Sequence, residues 1–177
     1  AAVRGIVARL WREMPGPAVF DADALFALSP ADRSRLADHA GPRVLTPHAG
    51  ELARLVGRDP AAVRDADRPV LEEAAVTLAA KIDAVVVFKG AGTLVAAAGR
   101  RARNDTGNPG MATAGTGDVL AGVIAALMGQ GLAPFDAARL GVWVHGCAGD
   151  AAAADLGEVA MTARDLLERL HVGFQSL

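Results

Sequence analysis

The sequence predicts a layered α/β domain with a mainly parallel sheet, and three observations carry that reading. Short, strongly apolar runs such as AVVVF at 84–88 alternate with longer stretches of helical spacing, and a continuous apolar run of that length is expected of a strand buried on both faces. Gly and Pro pairs mark the boundaries between these stretches. The 177 residues suit a single domain, 1–177, with a substantial core.

Taken in order, Val3, Ile6, Val7, Leu10 and Trp11 follow the i, i+3, i+4, i+7, i+8 pattern of an amphipathic helix. No cap residue or initiating Met precedes them, so the chain reads as starting inside an element, with an upstream part expected to be missing. Pro15-Gly16-Pro17 ends this helix, Ala18-Val19-Phe20 is a strand, and Asp21-Ala22-Asp23 closes it. A second helix is expected from Ser29-Pro30 to about Ala40, with Pro in its first turn. Arg43 to Thr46 reads as a strand cut off by Pro47, and HAGELARLVG as a helix ending at Gly57. Val70 to Ile82 is helical and Ala84 to Phe88 is a strand; Gly92 to Ala98 and Arg100 to Asp105 form a hairpin around Gly99-Arg100. Three helices close the chain: Asp118 to Gln130, Pro134 to about Ala154, and one from Thr162, whose spacing to Asp165 is that of a capping box.

Composition narrows the function classes. At 52% hydrophobic and 21% charged the chain is globular, and 18 basic against 20 acidic residues leave a net charge of −2, which excludes electrostatically driven nucleic-acid binding. No uninterrupted apolar run approaches the roughly 18 residues that a membrane span needs. Cys147 is the only cysteine, which rules out an internal disulfide or a multi-cysteine metal site and points to the cytoplasm. Lys81 and Lys89 are the only lysines, so a lysine at a motif position carries weight.

The chemistry concentrates where AGTGDVLAGVIAALMGQG passes from glycine and small polar residues into an apolar helix. In an open parallel sheet, ligands sit beyond the carboxyl ends of the strands, where loops lead into helix N-termini. There the amides lack internal partners, the helix dipole leaves partial positive charge, and glycines allow close approach; phosphate is the natural guest. No Lys-Ser/Thr pair follows the glycines, so this is not a Walker loop, and Gly115-Thr116-Gly117 lacks the third glycine of a dinucleotide fingerprint. Asp118 is at home in a first helical turn, but a carboxylate beside a bound phosphate needs a task. Receiving a proton from a hydroxyl that attacks phosphorus is such a task.

NPGMATAGTGDVLAGVIAALMGQG closely resembles the signature of the ADP- or ATP-dependent NAD(P)H-hydrate dehydratases, a branch of the ribokinase-like superfamily. VFDADAL at 19–25, TPHAGELARLVG at 46–57, FKGAGTLV at 88–95 and the helix holding Trp143, His145 and Gly146 agree in content and order. The resemblance implies a three-layer α/β/α ribokinase-like fold, in a domain that lacks roughly its first third. It implies removal of water from the hydrated nicotinamide of NADHX or NADPHX, by phosphorylating the hydrate hydroxyl and expelling phosphate, with ADP or ATP as donor and Mg2+ present.

Residue by residue, the resemblance makes Asp118 the general base and Gly115, Thr116 and Gly117 the anion hole. Lys89, Gly90, Ala91, Gly92 and Thr93, which otherwise read as a strand end and a turn, match a nucleotide-contacting segment, as do Asn108, Met111, Ala112 and Thr113. His48 and Glu51 read from spacing alone as a helix cap and a first-turn acid. The resemblance turns His48 toward the nicotinamide and leaves Glu51 a water-mediated role at Mg2+, with the metal ligands otherwise open. Arg54 is expected to pair with Glu51 or touch the dinucleotide phosphates. Asp21, and with it Asp23, is either a turn residue or part of the substrate side. His145 and Cys147 read as core side chains and His39 and His171 as surface helix residues. Self-association is common in such families and is expected here. A ribokinase-like small-molecule kinase and a non-catalytic nucleotide-binding subunit are the competing readings.

Overall fold

The computed structural model describes residues 2–28, 36–63 and 67–177. Five strands form one sheet in the order β1 (Ala18–Phe20), β2 (Arg43–Leu45), β3 (Val85–Phe88), β4 (Thr93–Ala97) and β5 (Arg100–Asn104). The pairs β1–β2 and β2–β3 are parallel, β3–β4 and β4–β5 antiparallel, so only β4 runs against the rest.

Strand residues alternate between two cores. Phe20, Leu45, Val86, Phe88, Leu94 and Ala96 face one side, where they meet Trp11 of α1 (Ala2–Glu13), Leu25 of α2 (Asp23–Ala27), Leu52 and Leu55 of α3 (Ala49–Val56) and Leu71, Leu78 and Ile82 of α4 (Arg68–Ile82). Val44, Val85, Val87 and Val95 face the other, against Leu120, Ile124 and Leu127 of α5 (Thr116–Gly129) and Phe135, Ala138 and Val142 of α6 (Pro134–Leu156). The resulting three layers have helices on both faces, as expected of parallel strands buried on both sides.

Several elements depart from the sequence expectation. The apolar stripe of α1 is buried only along one border: Trp11 is fully buried and Val7 half-buried, while Val3, Ile6 and Leu10 are exposed. The border is fixed by Trp11, whose indole N–H donates to Leu36 O at 3.1 Å and whose ring meets Phe20 edge-on at 5.1 Å. The helix expected over 29–40 falls largely outside the described residues, and its tail at 36–40 is turn, not helix. His39, there, is no surface helix residue: it is half-buried, its ring nitrogens 2.8 Å from Gly41 O and 2.9 Å from Ile82 O. Asp23 begins the short helix α2, which was not expected. The last helix is two, α7 (Ala163–Glu168) and α8 (Leu170–Gln175), separated at Arg169. The Thr162–Asp165 capping box is present.

Arg43 is a buried charge that no pattern announced. Its guanidinium donates to the carbonyls of Leu10, Trp11, Met14, Gly16 and Pro42. A cation at the carboxyl end of α1 answers both the orphan carbonyls and the helix dipole, which offsets the cost of burying it.

Candidate active site

The carboxyl ends of β1, β2 and β3 are stitched together by backbone bonds, Thr46 N to Phe20 O at 3.2 Å and Lys89 N to Pro47 O at 2.9 Å. Each strand end delivers a charged side chain to one place. Asp21 follows β1, Glu51 lies in the first turn of the helix after β2, and Lys89 follows β3. Lys89 Nζ sits 2.8 Å from Asp21 Oδ1 and 4.0 Å from Glu51 Oε2, with all three side chains largely buried at 21%, 13% and 14% exposure. Lys89 therefore does not hang from a solvated turn; it is held between two carboxylates.

The glycine-rich turn meets this triad. Gly115 caps α5 with φ +90, in the left-handed region that glycine adopts without strain. A Cβ at Gly117 would lie 3.4 Å from Lys89 Nζ and 3.6 Å from Asp21 Oδ2. The α5 N-terminus, with its partial positive charge, thus stands beside the ammonium of Lys89. Asp118, one residue further, is exposed, and Gly115 and Gly117 are half-buried. The bend is open.

The loop that leads into this turn is braced internally. Asn108 Oδ1 accepts from Gly110 N at 3.0 Å, capping the 3-10 turn Pro109–Met111. The Thr116 hydroxyl lies 2.7 Å from Met111 O and 2.9 Å from Thr113 O, donating its one proton into that pair. The carbonyls of Met111 and Thr113 are therefore engaged inside the loop, and Ala112 is exposed. At the other segment, Gly90 (φ +131) and Gly92 (φ +64) bend the chain after Lys89, and Thr93 Oγ1 donates to Gly90 O at 2.9 Å. Two arginines hold this bend from beneath: Arg68 and Arg103 both donate to Gly92 O, at 2.9 and 3.2 Å, and Arg68 lies 4.6 Å over the Phe88 ring. Ala91, at the tip, is exposed.

His48 is the N-cap of α3. Its Nδ1 accepts from Gly50 N at 3.0 Å and Glu51 N at 3.4 Å, while Glu51 Oε2 accepts from His48 N at 2.8 Å, a reciprocal capping box. An accepting Nδ1 carries no proton, so Nε2 does in the neutral ring. The imidazole is mostly exposed, with Nε2 3.4 Å from Glu51 Oε1. Cap and solvent-facing imidazole coexist in one residue. Arg54 lies 4.9 Å over the Phe26 ring.

Among the described residues, no group of three or more His, Cys, Asp and Glu is arranged to hold a metal ion. Asp21 and Glu51 already face an ammonium.

Sequence reasoning missed what four residues contribute. Ala22, directly after Asp21, has φ +50 and ψ −120, a strained conformation suited to glycine. Arg68 and Arg103 act on the glycine turn from 21 residues before and 14 after Lys89, with no motif to link them. His145, read as core, is buried, yet its Nε2 lies 2.8 Å from Thr116 O at the head of α5. Burial pushes its pKa below the ordinary 6.5, the Thr116 carbonyl pulls it back, and Lys89 lowers it further. Cys147, expected in the core, is only half-buried and lies in neither core cluster; burial and then Asp150 push its pKa up.

Residues 2–171 match the family model for NAD(P)H-hydrate dehydratase. The chain belongs to that family. It is 51% identical over 166 residues to a bifunctional NAD(P)H-hydrate repair enzyme of Moorella thermoacetica, covering 93% of this chain and 30% of that protein. It is 42% identical over 180 residues to the ADP-dependent (S)-NAD(P)H-hydrate dehydratase of Neisseria meningitidis, covering 96% and 60%. The chain thus spans less than two thirds of these family members. An ADP/ATP-dependent NAD(P)H-hydrate dehydratase of Bacillus subtilis, co-crystallised with ATP and Mg2+, superposes with a TM-score of 0.75 at 28% identity, over 90% of this chain and 55% of that one. Ribokinase of Arabidopsis thaliana, at 16% identity and a TM-score of 0.56, shares the fold.

Proposed function

We propose that the protein carrying this domain uses ADP or ATP, with Mg2+, to return hydrated NADH or NADPH to the intact dinucleotide. The observation that carries the proposal is the meeting of the Gly115–Gly117 turn, which leads into exposed Asp118, with the Lys89 ammonium at the carboxyl ends of three strands. Family membership supplies the substrate class.

The steps follow from charge. The terminal phosphoryl group of the nucleotide lies against the amides of Gly115, Thr116 and Gly117, which stabilise the charge spread over its oxygens during transfer. Lys89 adds a positive charge beside them, and Asp21 and Glu51 keep it from swinging away. The hydrate hydroxyl attacks phosphorus in line, its proton passes to Asp118, and the bond from phosphorus to the nucleotide oxygen breaks. Phosphate then leaves with the carbon–oxygen bonding pair, and the neighbouring carbon gives up a proton to restore the ring double bond. Mg2+ would travel on the nucleotide phosphates, as it commonly does. His48, through its exposed Nε2 edge, Arg54 and Asp21 are proposed to face the dinucleotide, and the turns at 89–93 and 108–113 the nucleotide.

A reducing cytoplasmic setting and self-association belong to the same proposal. Cys147 is unpaired, no described helix is long and apolar enough to cross a membrane, and sedimentation of the intact protein tests the second. The function itself is tested by giving the intact protein hydrated NADH with ADP or ATP and Mg2+ and following the return of dihydronicotinamide absorbance. Nucleotide-dependent recovery is expected. A phosphorylated product without recovery would make the protein a kinase, and nucleotide binding without either would make it a subunit.

A further inference from the structure

One face of α6 touches the phosphate loop at both of its ends. His145 meets the end of the loop, Nε2 to Thr116 O at 2.8 Å. A carbonyl oxygen only accepts, so this ring nitrogen carries the proton. Asp150 meets the beginning: Oδ2 accepts from Gly107 N at 2.9 Å and Oδ1 from Asn108 Nδ2 at 3.0 Å. Between them the helix presents two glycines. A Cβ at Gly146 would collide with Thr106, and one at Gly149 would lie within 2.7 Å of Met111 Cγ. Positions 145, 146, 149 and 150 share one side of a helix, so a single rigid surface carries a donor, two bare stretches of backbone and a carboxylate.

We propose that His145 and Asp150 are positioning residues that hold the phosphate loop at two points with separable effects. The proposal rests on the function proposed above. His145 acts on Thr116, at the turn of helix where charge develops during phosphoryl transfer, so its donor sets the alignment of the anion hole. Asp150 acts nine residues upstream, where Gly107 and Asn108 shape the loop that receives the nucleotide before any chemistry. The first contact bears on turnover and the second on nucleotide affinity.

The test uses the intact protein and four variants, with the ADP dissociation constant from calorimetry and kcat and KM from dihydronicotinamide recovery. H145L, which removes the donor and keeps the volume, is expected to lower kcat about 10-fold or more, since small misalignments at a reacting centre are costly, and to change the ADP constant less than about 3-fold. H145Q, whose amide can donate to the same carbonyl, is expected to recover most of the loss. D150A is expected to weaken ADP about 10-fold, the scale of one charge-assisted bond, with D150N closer to wild type. The His145 side chain in wild type is expected to show the Nε2-protonated neutral tautomer in nitrogen-15 spectra. Equal changes in kcat and ADP affinity for H145L and D150A, H145Q no better than H145L, or an unprotonated Nε2 would each overturn the proposal. Should the wild type recover no dihydronicotinamide, the assigned function fails, and the ADP constants and the tautomer still decide the clamp.

Discussion

At the scale of single residues, the site depends on a few charges whose partners lie far off in sequence. Lys89 finds Asp21 across 68 positions and Glu51 across 38, and only the sheet order brings them together. The sequence singled out all three residues but gave no sign that they touch, because strand adjacency is invisible in one chain. The turn at Gly115 and the helix it opens were legible, since a glycine turn before an apolar helix is a local pattern. His145 was underread for the same reason: its partner, Thr116, is 29 positions away. Lys89→Met leaves Asp21 and Glu51 facing each other without a cation, and we expect at least a 10-fold loss in kcat/KM, on the scale of a lost charge-assisted bond, together with a lower melting temperature. His145 gives a pH signature. Its folded pKa lies below 6.5, so below that pH the unfolded chain binds a proton that the folded one refuses. Stability should therefore fall as pH drops through about 6.5 and below, with a slope of at most about 1.4 kcal/mol per pH unit from this group. Urea melts of wild type and H145Q across that range measure it; a difference independent of pH would count against the buried neutral ring.

At the scale of elements, local signals served well and tertiary ones did not. The helix from His48 to Gly57 was readable because cap, apolar spacing and terminal glycine all agree, and the structure shows the capping box and the left-handed Gly57. The hairpin at Gly99 was readable for similar reasons. The strip of α1 that stays exposed was not, since periodicity says which residues share a face, not how much of the face is covered. The separation of α7 from α8 at Arg169 likewise has no glycine or proline to announce it. Two elements offer direct tests. Arg43→Met strips donors from five carbonyls around the end of α1, and we expect a loss of at least about 3 kcal/mol in chemical denaturation. Gly146→Ala places a methyl group where Thr106 stands; a loss of about 1–3 kcal/mol is expected from such overpacking, with weaker ADP binding because the loop must lift from α6.

At the scale of the molecule, the sheet order explains why the candidate site lies where it does. Three neighbouring strands point the same way and end at one edge, the two helical layers cover their faces, and α5 returns its N-terminus to that same edge. The class of fold was legible from alternation alone, whereas the two-core division of strand residues needed coordinates. On this reading the convergence holds a nucleotide phosphoryl group where a substrate hydroxyl attacks it while Asp118 takes up the hydroxyl proton. The most direct measurement compares wild type with Asp118→Asn in the intact protein, reading nucleotide-dependent dihydronicotinamide recovery and the ADP dissociation constant side by side. Recovery lost by about 100-fold or more, with ADP affinity essentially kept, is the result expected of a proton acceptor at the reacting oxygen. Recovery that persists in the variant, or ADP binding that disappears along with it, would contradict the claim.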